Sequence, residues 1–396
     1  MSQPEFSVYV HLPYCRVQCP YCTFFTVLRP ESPAPMTRFL RAVEREWQLR
    51  VQPRLQRGDR LVTLYLGGGT PSDVPIAALT DLLATWGRRL PGGLAGLQEV
   101  TVECNPESAP PASLDALAAV GVSRISLGVQ AMDAKDLLRL GRASTVEQNR
   151  AALAAVGARF ENWSADAIIG IPGSDALRLD ATLAALMDAG APHLSFYCLE
   201  MPAERARRLG DPQTPRSENR KAAWYERASA AVTARGYEHY EISSAARPGF
   251  ASRHNRGYWT GRPYLGLGPG AHSFDPGTRG WNRPDLAAYL TALESGGPPP
   301  GTQESLDAGA RERESIDLAL RQRTGLELAG RLAGLPASFL EGLETAGLGF
   351  VARGRLRLSP RGWLVSDSIV LQILALLDAV PADVDKPLRP SLHWPD

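Results

Sequence analysis

The chain has 396 residues, enough for one large domain and a smaller one, and its 43 basic and 42 acidic side chains leave a net charge of +1. A nearly neutral chain has no bulk electrostatic attraction to nucleic acid, so we expect no nucleic-acid partner. Five cysteines, an odd number, favour a reducing compartment. The N-terminus lacks a signal-peptide pattern, and the longest apolar stretch, 363–380, is interrupted by Asp367 and Asp378. We therefore expect a cytoplasmic protein without an integral membrane segment.

The first half of the chain alternates short apolar runs with longer helical patterns. The predicted strands are 6–11, 61–66, 99–103, 124–129, 164–169 and 193–199. The predicted helices between them are 36–55, 75–90, 112–120, 146–156 and 178–189. Alternating strands and helices predict βα units around a parallel sheet. Six such units predict an α/β fold, a partial (β/α)6, TIM-like barrel.

Polar or glycine-rich segments follow each predicted strand at once. These segments are 15–22, 67–72, 103–106, 128–130, 170–173 and 197–200. In barrels of parallel strands, ligand-binding groups gather at the C-terminal ends of the strands. We therefore expect these six segments to share one mouth of the barrel.

The first of these segments carries Cys15, Cys19 and Cys22 in a Cys-x3-Cys-x2-Cys array. Thiolates are the usual ligands of iron–sulfur clusters, and a cubane held by three of them has one iron without a protein ligand. Such an iron can bind a small molecule, so the spacing favours reactive or exchangeable chemistry. The alternatives are disulfides or a zinc site. Zinc usually takes four ligands, and the nearest fourth candidate, His11, lies on the apolar strand pattern.

The second segment, with glycines at 67–69 and a threonine at 70, suits close approach of a ligand. Gly68 and Gly69 let backbone N–H groups come near it, and Thr70 adds a hydroxyl. Later segments add a mixed-charge set suited to a zwitterion and a ribose. Its members are Glu103, Gln130, Arg142 and Asp166. For Arg142 and Asp166, ordinary ion pairing within the barrel is the alternative.

The second half of the chain has a different pattern. A helix (217–236) and a strand (237–242) precede a glycine-rich, loop-rich segment (243–274), and 296–301 is a candidate linker. Helices at 311–323, 336–346 and 366–377, with a hairpin at 354–362, predict a small C-terminal α+β domain, mostly helical and winged-helix-like in pattern. The predicted divisions are a core barrel (1–240), a glycine-rich segment with linker (241–300) and an accessory domain (301–396).

Several motifs resemble those of radical S-adenosylmethionine (SAM) proteins, and more narrowly of the coproporphyrinogen III oxidase-like group. They are YVHLPYC at 9–15, YLGGGTPS at 65–72, TVECNP at 101–106 and ISLGVQ at 125–130. The resemblance covers nearly the whole chain and implies a 4Fe–4S cluster on the three cysteines of the array, with SAM on the open iron. It implies SAM contacts from Tyr9, Gly68, Gly69, Thr70, Glu103, Gln130, Arg142 and Asp166.

Two subfamilies share this scaffold. The oxygen-independent coproporphyrinogen III oxidases carry a further cysteine two residues after the third cluster ligand and a longer N-terminal extension. Here Phe24 occupies that position and fourteen residues precede Cys15. Both differences match HemW-type haem chaperones, which implies that the chain binds haem and passes it to an acceptor apoprotein. The alternative is oxidative decarboxylation of coproporphyrinogen III to protoporphyrinogen IX, so whether the chain is an enzyme stays open.

A second motif also favours the interpretation of the chain as a haem chaperone. The run from His254 to Trp259 is similar to the His-Asn-x-x-Tyr-Trp motif through which HemW-type proteins bind haem. Histidine is a natural axial ligand of haem iron, and Tyr258 and Trp259 offer flat faces to a porphyrin. The alternative is that His254 only forms hydrogen bonds within a loop and that the two aromatic rings close the base of the barrel.

The chain departs from the family pattern at a few positions. Cys104 and Cys198 lie at predicted strand ends, where buried inert thiols are the preferred interpretation and extra ligands the alternative. Ser144 and Ile169 replace a histidine and a polar residue of the family. These changes leave the predicted cluster and SAM contacts intact.

Overall fold

The computed structural model describes residues 3–200, 203–210 and 215–377. The strands are β1 (Glu5–Leu12), β2 (Tyr14–Cys15), β3 (Val27–Leu28), β4 (Arg60–Gly68), β5 (Glu99–Cys104), β6 (Arg124–Gln130), β7 (Trp163–Ile169), β8 (His193–Cys198), β9 (Glu238–Glu241), β10 (Ser244–Ala246), β11 (Tyr264–Leu267), β12 (His272–Asp275), β13 (Thr278–Asn282), β14 (Gly301–Ser305), β15 (Leu326–Glu327), β16 (Gly349–Ala352) and β17 (Arg355–Leu358). The helices are α1 (Ala34–Arg50), α2 (Gln52–Gln56), α3 (Ile76–Gly87), α4 (Pro111–Val120), α5 (Ala134–Arg139), α6 (Val146–Gly157), α7 (Ala176–Asp188), α8 (Ala203–Arg208), α9 (Pro215–Ala234), α10 (Arg253–Trp259), α11 (Leu286–Glu294), α12 (Ala308–Leu320), α13 (Ala337–Thr345), α14 (Pro360–Trp363) and α15 (Ser366–Leu377).

Six parallel strands form the barrel in the order β1-β4-β5-β6-β7-β8. Helices connect most of these neighbours, so the predicted α/β fold with a partial (β/α)6 barrel is confirmed. Each predicted strand matches an observed one to within two residues at either end. The agreement follows from the short apolar-rich runs that mark each buried strand, such as residues 61–66 within β4.

The helices pack outside the barrel because their apolar residues recur at helical spacing. Along α1, Phe39, Val43 and Trp47 are fully buried, and the ring of Trp47 stacks on Trp86 of α3 with centroids 4.3 Å apart. Local signals fix where some helices begin. At α6, the Thr145 side chain accepts a hydrogen bond from the backbone of the third helical residue, and that residue's side chain bonds back to the backbone of Thr145.

The sheet continues past both edge strands of the barrel, β1 and β8. On one side β11 runs parallel to β1 and is followed by the antiparallel strands β12, β13 and β14, and on the other β8 pairs with β10, which pairs with β9. The result is an open sheet of twelve strands. The segment 296–301 leads directly into β14, so it connects two parts of one sheet. Strands from both sides of residues 240 and 300 share this sheet, and the predicted domain boundaries stay predictions.

The C-terminal part is α+β, as predicted. A three-stranded antiparallel sheet in the order β15-β17-β16 packs with α12, α13 and α15. The hairpin turns at 353–354, earlier than the predicted 354–362 range, because Arg353 and Gly354 take the positive φ that the turn requires. The stretch 378–396, including Asp378 and the end of the predicted accessory domain, lies outside the described residues.

The prediction that 243–274 is loop-rich was wrong. The segment contains β10, α10, β11 and the start of β12. Four of its six glycines lie at the turns between these short elements, where Gly249, Gly261, Gly268 and Gly270 adopt positive φ. Composition therefore marked the turns correctly but hid the elements between them. Across the residues that the structure describes, no helix is both long and apolar enough to cross a membrane.

Candidate iron–sulfur and SAM site

The cysteine loop follows β1 at the C-terminal end of the barrel and is fixed to the segment after β4. The carboxylate of Asp73 accepts hydrogen bonds from the backbone N–H of Arg16 at 3.0 Å and from its guanidinium at 3.2 Å. Arg29, at the far end of the loop, lies 3.7 Å from the same carboxylate. The Asp73 side chain is fully buried, so both ends of the cysteine loop are tied to one desolvated charge.

His11 holds the loop from inside the barrel. Its Nε2 donates to the carbonyl oxygen of Phe25 at 2.7 Å, which leaves Nδ1 to accept from the Tyr9 hydroxyl at 3.2 Å. Both ring nitrogens are thus engaged within the protein. Burial lowers the pKa of His11, which keeps the ring neutral in this role. The histidine weighed as a fourth zinc ligand instead positions the loop.

The three thiols of the loop lie near one another. Burial raises the pKa of Cys15 to about 11, and the charges of Cys22 and Cys19 act in the same direction. Within the described residues, no three His, Cys, Asp or Glu side chains are grouped so as to hold a metal ion. In a cubane each thiolate binds a different iron atom, so these thiolates need not converge on one point.

Two of the three sulfurs face a hydrogen-bond donor from outside the cysteine loop. The Thr70 hydroxyl donates to Cys15 Sγ at 3.6 Å, and Arg142 Nη1 points at Cys19 Sγ from 4.0 Å. Asn105 links the two donors, because its Oδ1 accepts from Arg142 Nη2 at 2.7 Å and its Nδ2 donates to Thr70 Oγ1 at 3.0 Å. Because a guanidinium only donates hydrogen bonds, the atom of Asn105 that faces Arg142 must be the amide oxygen, and the amide nitrogen therefore faces Thr70. The Thr70 hydroxyl accepts from this nitrogen, so its own hydrogen can be donated to the Cys15 sulfur.

The two glycines predicted to contact SAM leave no room for a side chain. A β-carbon on Gly69 would lie 2.7 Å from backbone atoms of Pro13 and Tyr14, and one on Gly68 would lie 2.4 Å from the His11 ring. Gly68 also has a φ of 105°, which favours glycine. These positions let the β4 turn approach the cysteine loop closely.

Glu103 lies beside this turn. Its carboxylate accepts from the Tyr65 hydroxyl at 2.7 Å and from the Gly68 backbone N–H at 3.1 Å. Burial raises the pKa of Glu103 to about 7, and the charge of Asp166 adds to the rise while the two hydrogen bonds oppose it. A carboxyl group that titrates near neutral pH at the mouth of a barrel is suited to bind a cationic or hydroxyl-bearing ligand.

We expect Glu103→Gln to flatten the pH dependence of stability of the cofactor-free protein. The raised pKa means that the folded state holds a proton that the unfolded state releases between about pH 4.5 and 7. The free energy of unfolding contributed by this group is therefore greatest at low pH and falls as pH rises through 7, by about 3 kcal/mol at most. Urea unfolding from pH 5 to 8 measures this difference, and identical slopes in both proteins would contradict it.

Gln130 and Asp166 complete the predicted SAM contacts. Gln130 ends β6 with a φ of 69°, an uncommon conformation for a residue other than glycine. Asp166 lies inside the barrel, where Ser126 and Ser164 hydroxyls donate to it at 3.4 and 3.2 Å. Burial raises the pKa of Asp166. The described hydrogen bonds of this carboxylate come from hydroxyl groups, and the charge of Arg124 also acts on it.

His254 lies at the opposite end of the barrel. It belongs to α10, which closes the barrel floor, and only 1% of its surface is exposed. Its Nδ1 bonds to the Thr63 hydroxyl and its Nε2 to the Tyr258 hydroxyl, both at 2.8 Å. Thr63 precedes Gly68 by five residues on one strand, roughly 16 Å. In this conformation His254 has no free ring nitrogen.

α10 is fixed to the floor by one carboxylate. Glu99, at the start of β5, accepts from the backbone N–H groups of Arg253 and His254 at 2.9 and 3.0 Å and from the Ser252 hydroxyl at 3.2 Å. The Glu99 side chain is buried. Release of His254 from the floor would leave this charge without its donors.

The residues at the mouth fit an iron–sulfur cluster and SAM. Three cysteines supply thiolates, two side-chain donors face their sulfurs, and Arg142 Nε is buried without a partner in the described structure. Such donors raise the reduction potential of a cluster by stabilising its reduced charge. The tight glycine turn and the Glu103 carboxylate lie on the same side.

Comparison with known proteins shows which class of protein this chain resembles. The Radical SAM superfamily model matches residues 9–186. The chain is similar to Escherichia coli HemN, described as coproporphyrinogen III oxidase, a radical SAM enzyme, with a TM-score of 0.77 over 94% of this chain and 90% of that one. At 22% identity this likeness shows the fold alone.

Sequence relatives narrow the family. The chain is 35% identical to "Heme chaperone HemW" of Mycobacterium tuberculosis over 94% of this chain and 96% of the relative. It is 33% identical to the protein of the same name from Escherichia coli over 68% and 70% of the two chains. The chain therefore belongs to the HemW family of radical SAM proteins, as its motifs predicted. Membership implies a 4Fe–4S cluster and SAM as cofactors.

Sequence reasoning missed several residues that build the site. Asn105 stood inside a quoted motif but was given no role, although an amide directly after a barrel strand is a signal for one. Tyr65 and Asp73 act through partners distant in the chain. Nothing local to either residue indicates those partners.

Proposed function

We propose that this chain is a haem chaperone that binds haem and passes it to an acceptor apoprotein. The observation that carries the proposal is the relationship, across 94% of the chain, to a protein named as a haem chaperone. Phe24 agrees with it, because the oxidases carry a cysteine at that position. Phe24 is 68% exposed at the rim of the cysteine loop. We place this function in the cytoplasm and propose no nucleic-acid partner.

We assign the cluster to Cys15, Cys19 and Cys22, and SAM to the strand-end residues of the mouth. A 4Fe–4S cluster with SAM on its open iron supplies one-electron chemistry when bound. Thr70 and Arg142 hold hydrogen-bond donors toward the sulfurs, and Asn105 fixes the direction of both. Gly68 and Gly69 let backbone groups approach the ligand, while Tyr9 keeps His11 in place beneath the loop. Glu103, Gln130 and Asp166 are assigned to the polar groups of SAM.

His254 stays a proposed haem ligand, but its hydrogen bonds and its burial must change before it can bind iron. Iron ligation through either ring nitrogen requires the loss of the bond to Thr63 or to Tyr258. It also requires α10 to move, because the ring is buried. Haem capture by this residue is therefore coupled to opening of the barrel floor.

The function is tested with anaerobically reconstituted protein. A haemin titration followed by Soret absorbance should show about one haem per chain, and mixing with excess apomyoglobin should move that haem to the acceptor. Incubation with coproporphyrinogen III, SAM and a reductant should give no protoporphyrinogen IX. Turnover of coproporphyrinogen III would show that the protein is an oxidase and not a chaperone. Failure to bind haem would contradict the proposed chaperone function.

A further inference from the structure

The histidines of this protein differ sharply in access to solvent. Five lie in the part of the chain that the structure describes, and four of them are buried: His11, His193, His239 and His254. The fifth, His272 at the start of β12, is exposed. The structure gives its ring nitrogens no hydrogen bond to a described residue. An imidazole that is exposed and uncommitted can ligate iron without any rearrangement.

His272 belongs to a continuous aromatic face of the sheet. Its ring stacks on Trp281 of β13, directly opposite in register, with centroids 5.7 Å apart and planes inclined by 23°. Phe274, two residues further along β12, points to the same face and stacks on Tyr264 at 6.3 Å. Tyr264 in turn meets Tyr258 edge-on at 4.6 Å.

We call Tyr258, Tyr264, Phe274 and Trp281 the aromatic wall. All four residues are half-buried. The wall begins at Tyr258 of the His-Asn-x-x-Tyr-Trp motif and ends beside His272. A row of half-buried aromatic residues is an apolar surface on which a flat porphyrin can lie.

Two charged side chains of α1, the buried Glu46 and the half-buried Arg50, hold the segment that carries His272. Glu46 of α1 accepts from the Gly268 backbone N–H and from the Asn282 side chain, both at 2.8 Å. Arg50 donates to the Gly266 carbonyl at 2.7 Å and to the Ser273 hydroxyl at 2.8 Å. Ser273 therefore faces α1, which directs its neighbour His272 to the opposite face.

The segment also lies at the cluster end of the barrel. A β-carbon on Gly268 would lie 2.3 Å from the carbonyl oxygen of His11, and one on Gly270 would lie 3.4 Å from Phe25 of the cysteine loop. Arg279 of β13 lies opposite Phe274 beside the wall, where it is paired with the carboxylates of Glu304 and Glu314. One face of the exposed His272 ring is shielded from water by Trp281, and this partial burial together with the Arg279 charge lowers the pKa of His272, so the ring is neutral at physiological pH with a lone pair available.

We propose that His272 is the residue that first ligates haem iron, with the porphyrin lying against the aromatic wall. This inference rests on the proposed haem-chaperone function and assigns its entry site. The lone pair of one imidazole nitrogen forms a coordinate bond to an open iron position or replaces a water molecule there, and no electron is transferred. Tyr258 then links the entry site to His254, since it hydrogen-bonds that ring.

The test compares haemin with iron-free protoporphyrin IX on the full-length protein. His272→Ala should weaken haemin binding by about tenfold or more, since the axial bond is lost, and leave protoporphyrin IX binding unchanged. Added imidazole should restore the haemin spectrum of this variant. Trp281→Ala should weaken both ligands, because the wall contacts each of them. Since His272 makes no described hydrogen bond, its variant should keep the wild-type far-ultraviolet circular dichroism.

The outcomes separate this inference from the function beneath it. If wild-type protein binds haemin and His272→Ala binds it with the same affinity and spectrum, the entry site is wrong while the chaperone function stands. If wild-type protein binds no haemin, the proposed function falls and the inference falls with it. His254→Gln adds a further arm: a loss of haemin there that equals the loss in His272→Ala supports one pathway, and a loss only in His254→Gln overturns His272.

Discussion

Replacing Cys19 by serine is expected to abolish assembly of the 4Fe–4S cluster, because a cubane held by three thiolates cannot lose one and keep its site. Cys19 Sγ faces the Gly141 carbonyl and the Arg142 guanidinium at the mouth of the barrel. A serine hydroxyl at the same place is a far weaker iron ligand than a thiolate. Iron and acid-labile sulfide per chain after anaerobic reconstitution measure the effect and should fall to background.

Two other cysteines provide the matched controls. Cys104 is buried at the end of β5, and burial raises the pKa of the Cys198 thiol at the end of β8 to about 12. Neither belongs to the cysteine loop, so Cys104→Ser and Cys198→Ser should retain the iron and sulfide of the wild type. Loss of iron in either control, with the fold intact, would make that residue an additional ligand and would contradict the three-cysteine assignment.

Replacing Glu46 by alanine should cost roughly 3–5 kcal/mol of unfolding free energy, the usual effect of removing one member of a buried ion pair. The Glu46 side chain is fully buried and pairs with Arg50 at 2.7 Å. It also accepts from Tyr289, from the Asn282 side chain and from the Gly268 backbone at 2.7–2.8 Å. Without the carboxylate these donors stay buried and unsatisfied.

Urea unfolding of the cofactor-free protein measures this loss. Glu294→Ala is the control, since Glu294 pairs with Arg38 on the surface and its removal should leave the midpoint nearly unchanged. Equal midpoints for both variants would contradict the role assigned to Glu46. The Glu46→Ala variant should also bind haemin more weakly if His272 is the entry ligand, because Glu46 mounts the segment 266–273.

The barrel was predictable because its signals are local. Each barrel strand is a short run rich in β-branched and other apolar residues, and each helix shows its own period, so the six barrel strands and most helices could be placed within a few residues. The cysteine array is equally local, since three thiolates lie within eight residues of chain. Local signals also found the strand-end residues, because parallel strands place their C-terminal ends at one edge.

The rest depended on contacts between distant parts of the chain. Asn105 joins Thr70, 35 residues earlier in the chain, to Arg142, 37 residues later. Their proximity follows from the barrel and not from any local pattern. The short strands β11 to β14 are stable only as neighbours of β1 and of one another, so the glycine-rich segment looked like a loop. His254 stood in a recognisable motif, but only the packing of α10 puts it in the barrel floor.

The sequence by itself determined the barrel and the family and predicted the cluster ligands, because apolar periodicity and short-range ligand spacing are properties of neighbouring residues. Tertiary structure alone decided which side chains are accessible. Burial and hydrogen bonding across long chain separations engage both nitrogens of His254 with Thr63 and Tyr258 and leave His272 exposed. The solvent accessibility of a side chain depends on all the residues that pack around it, and a local sequence pattern does not predict those neighbours.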